Sequence, residues 1–381
     1  MSAARWRRAM NTGLSEASAR PLPAAGGRPP APAVAPDPDA DSDAPRWLKF
    51  LWRTVSPRHV LVMAFVLVLP FVASPFLVFQ VAAQSLVFGL IALSLGFLAG
   101  YGGMVSLAQM TVAGIAGYAV AVLGASGTEI SLGWAWWVVV PFALVIAVAS
   151  STLIGWLSVR TDGIYTIMIT LAIGVAFYYL VLQNYTVFNG FQGFQRVYPP
   201  EVLGLNWRDP RPFYFLSLTC ALAGYFFIKW LVRTPFGMAL QGIRDNARRM
   251  GALGFNVTAH RVAAYAVSGL LAGVGGVLLV WYNGLITPGS VGTGWLINVL
   301  VIAVLGGMKH PIGAFLGAIV FILLQTFAID LIDRERFNLV IGGVFLAIVL
   351  FSPDGLLGLW AMLRSRFGPD QVVTSTTRRQ P

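Results

Sequence analysis

From Val60 onward the chain is a succession of apolar runs, many of roughly 18 residues or more, separated by short stretches of Gly, Pro and charged side chains. A run of that length crosses a hydrocarbon core about 30 Å thick as an α-helix, which pairs its backbone donors and acceptors within one segment. The pattern predicts an all-α polytopic membrane protein of about ten transmembrane or re-entrant helices, at residues 60–79, 83–99, 105–124, 134–157, 163–183, 212–232, 261–283, 295–307, 311–332 and 337–357. Residues Met1 to Pro45 hold no apolar run and are rich in Ala, Pro, Arg and Asp, the composition of a disordered tail. The expected organisation is a cytoplasmic tail over 1–45, a membrane domain over 46–362 and a second cytoplasmic tail over 363–381. Arg5, Arg7 and Arg8 are not followed by the apolar core of a secretory signal, so the first span is expected to remain as an anchor.

Composition sharpens this picture. Of the 381 residues, 57% are hydrophobic and 11% charged, against about a quarter charged in soluble domains. No water-soluble core of this length hides so much apolar surface. Cys220 is the single cysteine, which excludes an intrachain disulfide and a cysteine-based metal cluster. The net charge of +11 does not point to nucleic acid, because the arginines flank apolar segments or lie in the tails. Arg46, Lys49, Arg53, Arg58, Arg160, Lys229, Arg233, Arg244, Arg248, Arg249, Arg261 and Lys309 fall on one predicted face, with the C-terminal arginines. Arg196, Arg208, Arg211, Arg334 and Arg336 fall on the other, interspersed with Glu201, Asp209, Asp330, Asp333 and Glu335. The positive-inside bias then puts both termini in the cytoplasm. Every carboxylate lies in a loop, a tail or a segment end, and no Lys or Arg falls at a predicted midplane. Ion-driven carriers and voltage sensors keep ionisable groups at that depth, so the energy source is expected outside this chain.

Three stretches depart from plain spans. In the first, Gly100, Gly102 and Gly103 interrupt a helix within Leu98–Tyr118, and Ser106, Gln109 and Thr111 follow. Broken helices at membrane depth line solute cavities, which makes Gly102, Ser106, Gln109 and Thr111 candidates for a substrate path. Close packing through small residues would explain the same composition. In the second, Gly284–Gly294 carries Thr287 and Pro288 and precedes an unusually short apolar run broken by Gly306, Gly307, Pro311 and Gly313. A short, broken segment of this kind also marks a transport path. Leu98-Ala-Gly-Tyr-Gly-Gly echoes Leu271-Ala-Gly-Val-Gly-Gly, a weak sign of an internal repeat. In the third, Thr234–Val257 places Met238, Leu240, Ile243, Met250 and Leu253 at roughly helical spacing with Arg244, Asp245, Arg248 and Arg249 elsewhere, an amphipathic cytoplasmic helix suited to lipid headgroups or to a groove on a partner.

The stretches Gly100–Gln109, Arg160–Ala172, Phe236–Asn246, Leu253–Val257, Val304–Gly307 and Phe351–Leu357, in this order and spacing, resemble the LivM-type membrane subunit of branched-chain amino acid ABC importers over roughly residues 60 to 362. The resemblance implies an ABC importer permease fold and an assembly with two cytoplasmic ATPases, a second related permease and a periplasmic solute-binding protein. ATP and Mg would be bound by the ATPases, and no cofactor by this chain. It also implies that Phe236–Gly254 contacts the ATPase, with Phe236, Gly237, Leu240, Ile243, Arg244, Asp245, Asn246, Arg248, Met250, Leu253 and Gly254 as the coupling residues. The chain has no Gly-x-x-x-x-Gly-Lys-Ser/Thr loop of its own. A membrane enzyme is the rival class, but His59, His260 and His310 lie far apart beside Arg or Lys at segment ends. A secondary carrier or channel is the other.

Overall fold

The computed structural model describes residues 67–331, apart from Glu129, Asp162, Val202, Leu203 and Leu205, together with Gly342, Gly343, Leu346, Gly355, Leu356 and Gly358. Both expected tails, residues 60–66 of the first expected span and most of the span at 337–357 lie outside the described residues. The helices are α1 (Leu77–Gly102), α2 (Gln109–Leu123), α3 (Trp136–Ser158), α4 (Ile164–Gln183), α5 (Pro210–Leu231), α6 (Pro235–Ala252), α7 (Val257–Asn283), α8 (Thr293–Gly306) and α9 (Pro311–Leu331). Among the described residues, α1, α3, α4, α5 and α7 are long and apolar enough to cross a membrane, and α8 with the first part of α9 forms a further broken span or re-entrant pair bent by 117°.

Local chemistry sets most of these boundaries. Pro occupies the first turn of α5 and α6, where its missing N–H costs nothing. Thr234 Oγ1 accepts from Gly237 N at 3.4 Å to cap α6, and Asn256 Oδ1 accepts from Ala259 N at 3.0 Å to cap α7. Left-handed Gly103 and Gly284, at φ 68° and 66°, end α1 and α7.

One expected boundary is corrected. The break placed between 79 and 83 does not exist, because α1 runs through it with a π-helical opening at Leu77–Ala83. The interruption falls at 73–74, where Pro75 disfavours helix in the residue before it and Ser74 Oγ accepts from Leu77 N at 3.4 Å. Gln80, within the π-helical opening, accepts a hydrogen bond from the Tyr282 hydroxyl.

α1 and α7 form the centre, with 78% and 67% of their most apolar stretches buried, against 22% for α4. α7 packs along α1, α2 and α3, and α9 packs along α1. The approach is close because α7 presents glycines: a Cβ on Gly276 would collide with the Ala113 carbonyl, and one on Gly269 with Ser151. Without a hydrophobic drive between helices in lipid, such small-residue contacts supply the packing.

The loops fall into two groups. At one end, β1 (Phe194–Gln195) pairs antiparallel with β2 (Leu285–Ile286), and Gly127 N donates to Gln195 O at 2.9 Å. At the other end, α6 and the turn at Met308 meet the end of α1. This is the alternation the span order requires.

Candidate functional site

α2 is only 15 residues long, about 22 Å at 1.5 Å per residue, and too short to cross a core about 30 Å thick. The non-helical segment Gly103–Ala108 fills the remaining depth, so its backbone needs partners. Met104 N donates to Leu98 O at 3.0 Å, closing α1 over the left-handed Gly103. Leu107 N donates to Thr170 Oγ1 of α4 at 3.1 Å, and Ala108 N to Ser106 Oγ at 3.3 Å. The Tyr265 hydroxyl of α7 approaches Ser106 and Ser158.

Gln109, fully buried at the start of α2, sits in a three-helix polar cluster. Its Oε1 accepts from Ser268 Oγ of α7 at 2.9 Å and from Ser94 Oγ of α1 at 3.1 Å. Ser268 Oγ lies equally close to Ser94 O, at 2.9 Å, and Ser94 Oγ to Ile91 O, at 2.6 Å, so each hydroxyl's one proton is shared between the Gln109 amide oxygen and a backbone carbonyl. The Gln109 Nε2 and Thr111 Oγ1 atoms are buried without a hydrogen-bond partner among the described residues. Each such orphan costs about 1–3 kcal/mol, which folded proteins retain where the group has another use.

The residues expected to form one substrate path are divided. Ser106 lies on the broken segment and Gln109 immediately after it, and Gly102 faces Met104 and Leu240 of α6. Thr111 faces elsewhere: a Cβ on Gly174 of α4 would stand 2.9 Å from Thr111 Oγ1, with Leu296 of α8 close by. Thr287 and Pro288 belong to the far end, where a 3-10 turn over Pro288–Val291 leads into α8.

Two cavities border this segment. One of about 240 Å³, at the α6 end, is lined by Gly103, Met104, Ser158, Thr161, Thr166 and Arg261 among others. One of about 290 Å³, at the β1–β2 end, is lined by Gln84, Phe88, Met110, Asn283, Thr287, Ser290 and Trp295 among others. Ser106, Leu107, Ala108 and Gln109, between Met104 and Met110, are all buried.

α6 is bound to the same break. Arg244 Nη1 donates to the Gly100 carbonyl, placing a guanidinium on the C-terminal end of α1, where the helix dipole favours a cation. A Cβ on Gly103 would stand 2.7 Å from Arg244 Cγ. Arg244 also pairs with the exposed Asp245, Nη2 to Oδ1 at 2.9 Å.

The single amphipathic helix expected over this region is corrected to two pieces, because Asn246 leaves helical geometry (φ −157°, ψ 92°) and its Oδ1 accepts from Arg249 N at 2.9 Å, capping a second piece. The expected apolar face divides accordingly. Gly237, Leu240 and Ile243 are buried in the bundle, Met250 is half-buried with its sulfur against Gly242, and Met238 and Leu253 are exposed with Arg248 and Gly254. Phe236 stacks on His260 at 5.8 Å and 12°, tying the start of α6 to the start of α7.

Sequence reasoning missed Ser94, Ser268 and Thr170, isolated hydroxyls inside apolar spans. Their signal was present, since lone polar residues in membrane helices bond across to neighbours. Among the described residues, no group of three or more His, Cys, Asp or Glu side chains is placed to hold a metal ion.

A bundle of membrane-length helices with a broken segment at its centre, and an amphipathic helix hydrogen-bonded to that break, is an arrangement suited to a membrane transport permease subunit. Comparison with known proteins agrees. The chain belongs to the family described as branched-chain amino acid transport system / permease component, matched over residues 77–349. It is 26% identical over 331 residues to the high-affinity branched-chain amino acid transport system permease protein LivM of Escherichia coli, covering 80% of this chain and 76% of that one. It is 25% identical over 313 residues to the protein of the same description from Salmonella typhimurium, covering 75% and 72%. A shorter match, 30% identical over 116 residues, covers 30% of this chain and 35% of a nucleoside ABC transporter permease, NupC, from Lactococcus lactis. No solved structure matches the chain.

Proposed function

We propose that this chain is one of two permease subunits of an ATP-driven importer that carries branched-chain amino acids, or related small amphipathic solutes, across the inner membrane. Two separate ATPases bind Mg and ATP and hydrolyse it, and a periplasmic binding protein delivers the solute. The α6 end faces the cytoplasm, as do both termini, because Arg160, Lys229, Arg233, Arg244, Arg248, Arg249, Arg261 and Lys309 gather there.

The observation that carries this reading is the bond from Arg244 to Gly100. It joins the surface helix suited to an ATPase groove directly to the break that leads to Ser106 and Gln109. ATP binding draws the ATPases together and moves α6 as a lever. Its buried face, Gly237, Leu240 and Ile243, carries the movement into the bundle, while Arg244 moves the end of α1. Met238, Asp245, Arg248, Leu253 and Gly254 remain available to the ATPase. Gly103–Ala108 then shifts, and access to the Ser106/Gln109 region passes from the Thr287 side to the Met104 side. No bond in the solute is made or broken.

The test is purification of the tagged full chain from its native membrane in mild detergent, with mass spectrometry of what stays bound. Two ATPase polypeptides and a second permease are expected. A chain recovered alone, with solute uptake persisting when all ATPases are absent, would replace the importer by a carrier or channel.

A further inference from the structure

The larger cavity lies at the end of the bundle opposite α6 and has a two-sided lining. Gln84, Asn283, Thr287 and Ser290 give one side amides and hydroxyls, and among the described residues none of these four side chains forms a hydrogen bond to the protein. Phe88, Met110, Leu279 and Trp295 give the other side apolar surface. The Phe88 and Trp295 rings stack at 4.9 Å and 10°, a flat wall that holds its shape, and Met110 supplies an adaptable one. Among the described residues, no Asp, Glu, Lys, Arg or His lines the space.

We propose that this cavity is a solute-binding vestibule for an aliphatic amino acid zwitterion. The inference rests on the importer reading and adds a site to it. The described lining offers no ionised side chain to pair a net charge, which favours an occupant of zero net charge. Its polar end needs several neutral donors and acceptors, which the four free side chains supply. The opening turn of α8, which contributes Trp295 to the wall and has Gly292 at its N-cap without a side-chain acceptor, favours the carboxylate. The aliphatic end lies against Phe88, Met110 and Leu279. A volume of about 290 Å³ falls at the lower limit of ligand pockets, roughly 300–1,000 Å³, and admits only a small molecule.

The position fits a waiting site. Met110 is in its wall and adjoins Gln109, while the neighbouring space toward Ala113, Gly114 and Val291, one turn farther from Gln109 along α2, holds only about 10 Å³. A solute here stops one residue short of the Ser94–Gln109–Ser268 cluster until the broken segment moves.

The test uses the full chain in lipid nanodiscs with Cys220→Ser and a reporter cysteine at Gly289, where an added Cβ meets nothing closer than Thr287 Oγ1 at 3.5 Å. Ser290→Cys is the second reporter. L-leucine near saturation is expected to slow maleimide labelling of either cysteine about tenfold, as mass action requires. L-arginine is expected not to slow it, and neither solute to slow labelling of a Thr161→Cys control in the opposite cavity. Asn283→Leu and Thr287→Val should shift the leucine protection to higher concentration. Unprotected labelling in a reporter that still imports solute with its partners would overturn this site and leave the importer reading intact. Labelling that is already slow in nanodiscs without leucine and becomes fast only in lipid-free detergent would assign the cavity to a lipid chain and overturn it equally. Leucine protection together with failure to recover any ATPase would retain the site and remove the importer reading.

Discussion

Gln109 shows how one side chain can be buried and still unfinished. Its Oε1 shares each of two serine protons with a backbone carbonyl, that of Ile91 or of Ser94, and its Nε2 has no partner among the described residues. Replacement by leucine therefore strands no hydroxyl and removes one orphan, so its net effect on stability is within about 1 kcal/mol. Gln109→Leu is expected to leave the thermal unfolding midpoint of the purified chain within a few degrees of wild type while solute uptake falls about tenfold or more, the consequence of removing a polar step from the path. Unchanged uptake would reduce the cluster to a packing device. Thr111→Val removes a hydroxyl that bonds nothing described, at constant shape, and should raise the midpoint slightly or leave it unchanged. The repeated Leu-Ala-Gly-x-Gly-Gly string illustrates how context overrides composition. At Leu98–Gly103 it ends a helix, because Gly103 turns left-handed beneath Arg244; at Leu271–Gly276 the same glycines stay inside α7 and press it onto Ile91 and Ala113. The echo is two uses of glycine, and a polar stretch follows the first while Val277-Leu-Leu-Val continues the second.

At the scale of an element, α6 separates what periodicity can reveal from what it cannot. Its start was legible, since Thr234-Pro235 is a cap followed by a proline at the first helical position. Its single apolar face was not, because the 3.6-residue phase restarts at Asn246 and residues beyond it point in new directions. Hence Leu240 and Ile243 are buried and Leu253 is 68% exposed. The breaks at Gly103 and Gly284 and the short α8 were likewise readable from Gly and Pro, whereas the Gln109 cluster was not, since Ser268 lies 159 residues away. Two predictions follow from the same helix. Arg244→Ala removes the guanidinium from the end of α1 and should abolish solute-stimulated ATP hydrolysis in the reconstituted assembly while the subunit still inserts; Arg244→Lys, lacking the planar fork, should recover only part of it. Asn246→Ala removes the internal cap, at about 1 kcal/mol, and should loosen hydrogen-exchange protection over residues 247–252 and leave that over 235–243 unchanged.

For the whole molecule, the loops on either side of each described span alternate between two ends, and the contacts between loops confirm the grouping without reference to charge. Gly127, Gln195, Val197 and Gly284 are joined by backbone hydrogen bonds at one end, and Gly100, Arg244 and Met308 meet at the other. Geometry alone does not say which end faces the cytoplasm. The proposed orientation rests on charge: basic residues at the α6 end outnumber those at the β1–β2 end, and translocation favours the less basic side. The bundle's own surface fits a lipid or partner environment on one flank, where α3 and α4 leave Trp137, Val145, Tyr165 and Met168 exposed. Sidedness is measured with single cysteines in a Cys220→Ser background, labelled on intact cells by a reagent that cannot cross the inner membrane. Ser126→Cys and Phe191→Cys, at the β1–β2 end, should react before permeabilisation. Thr161→Cys and Met238→Cys should react only after it. The reverse pattern would place α6 in the periplasm, beyond reach of any cytoplasmic ATPase, and the lever from α6 through Arg244 to the broken segment would then have no motor to drive it.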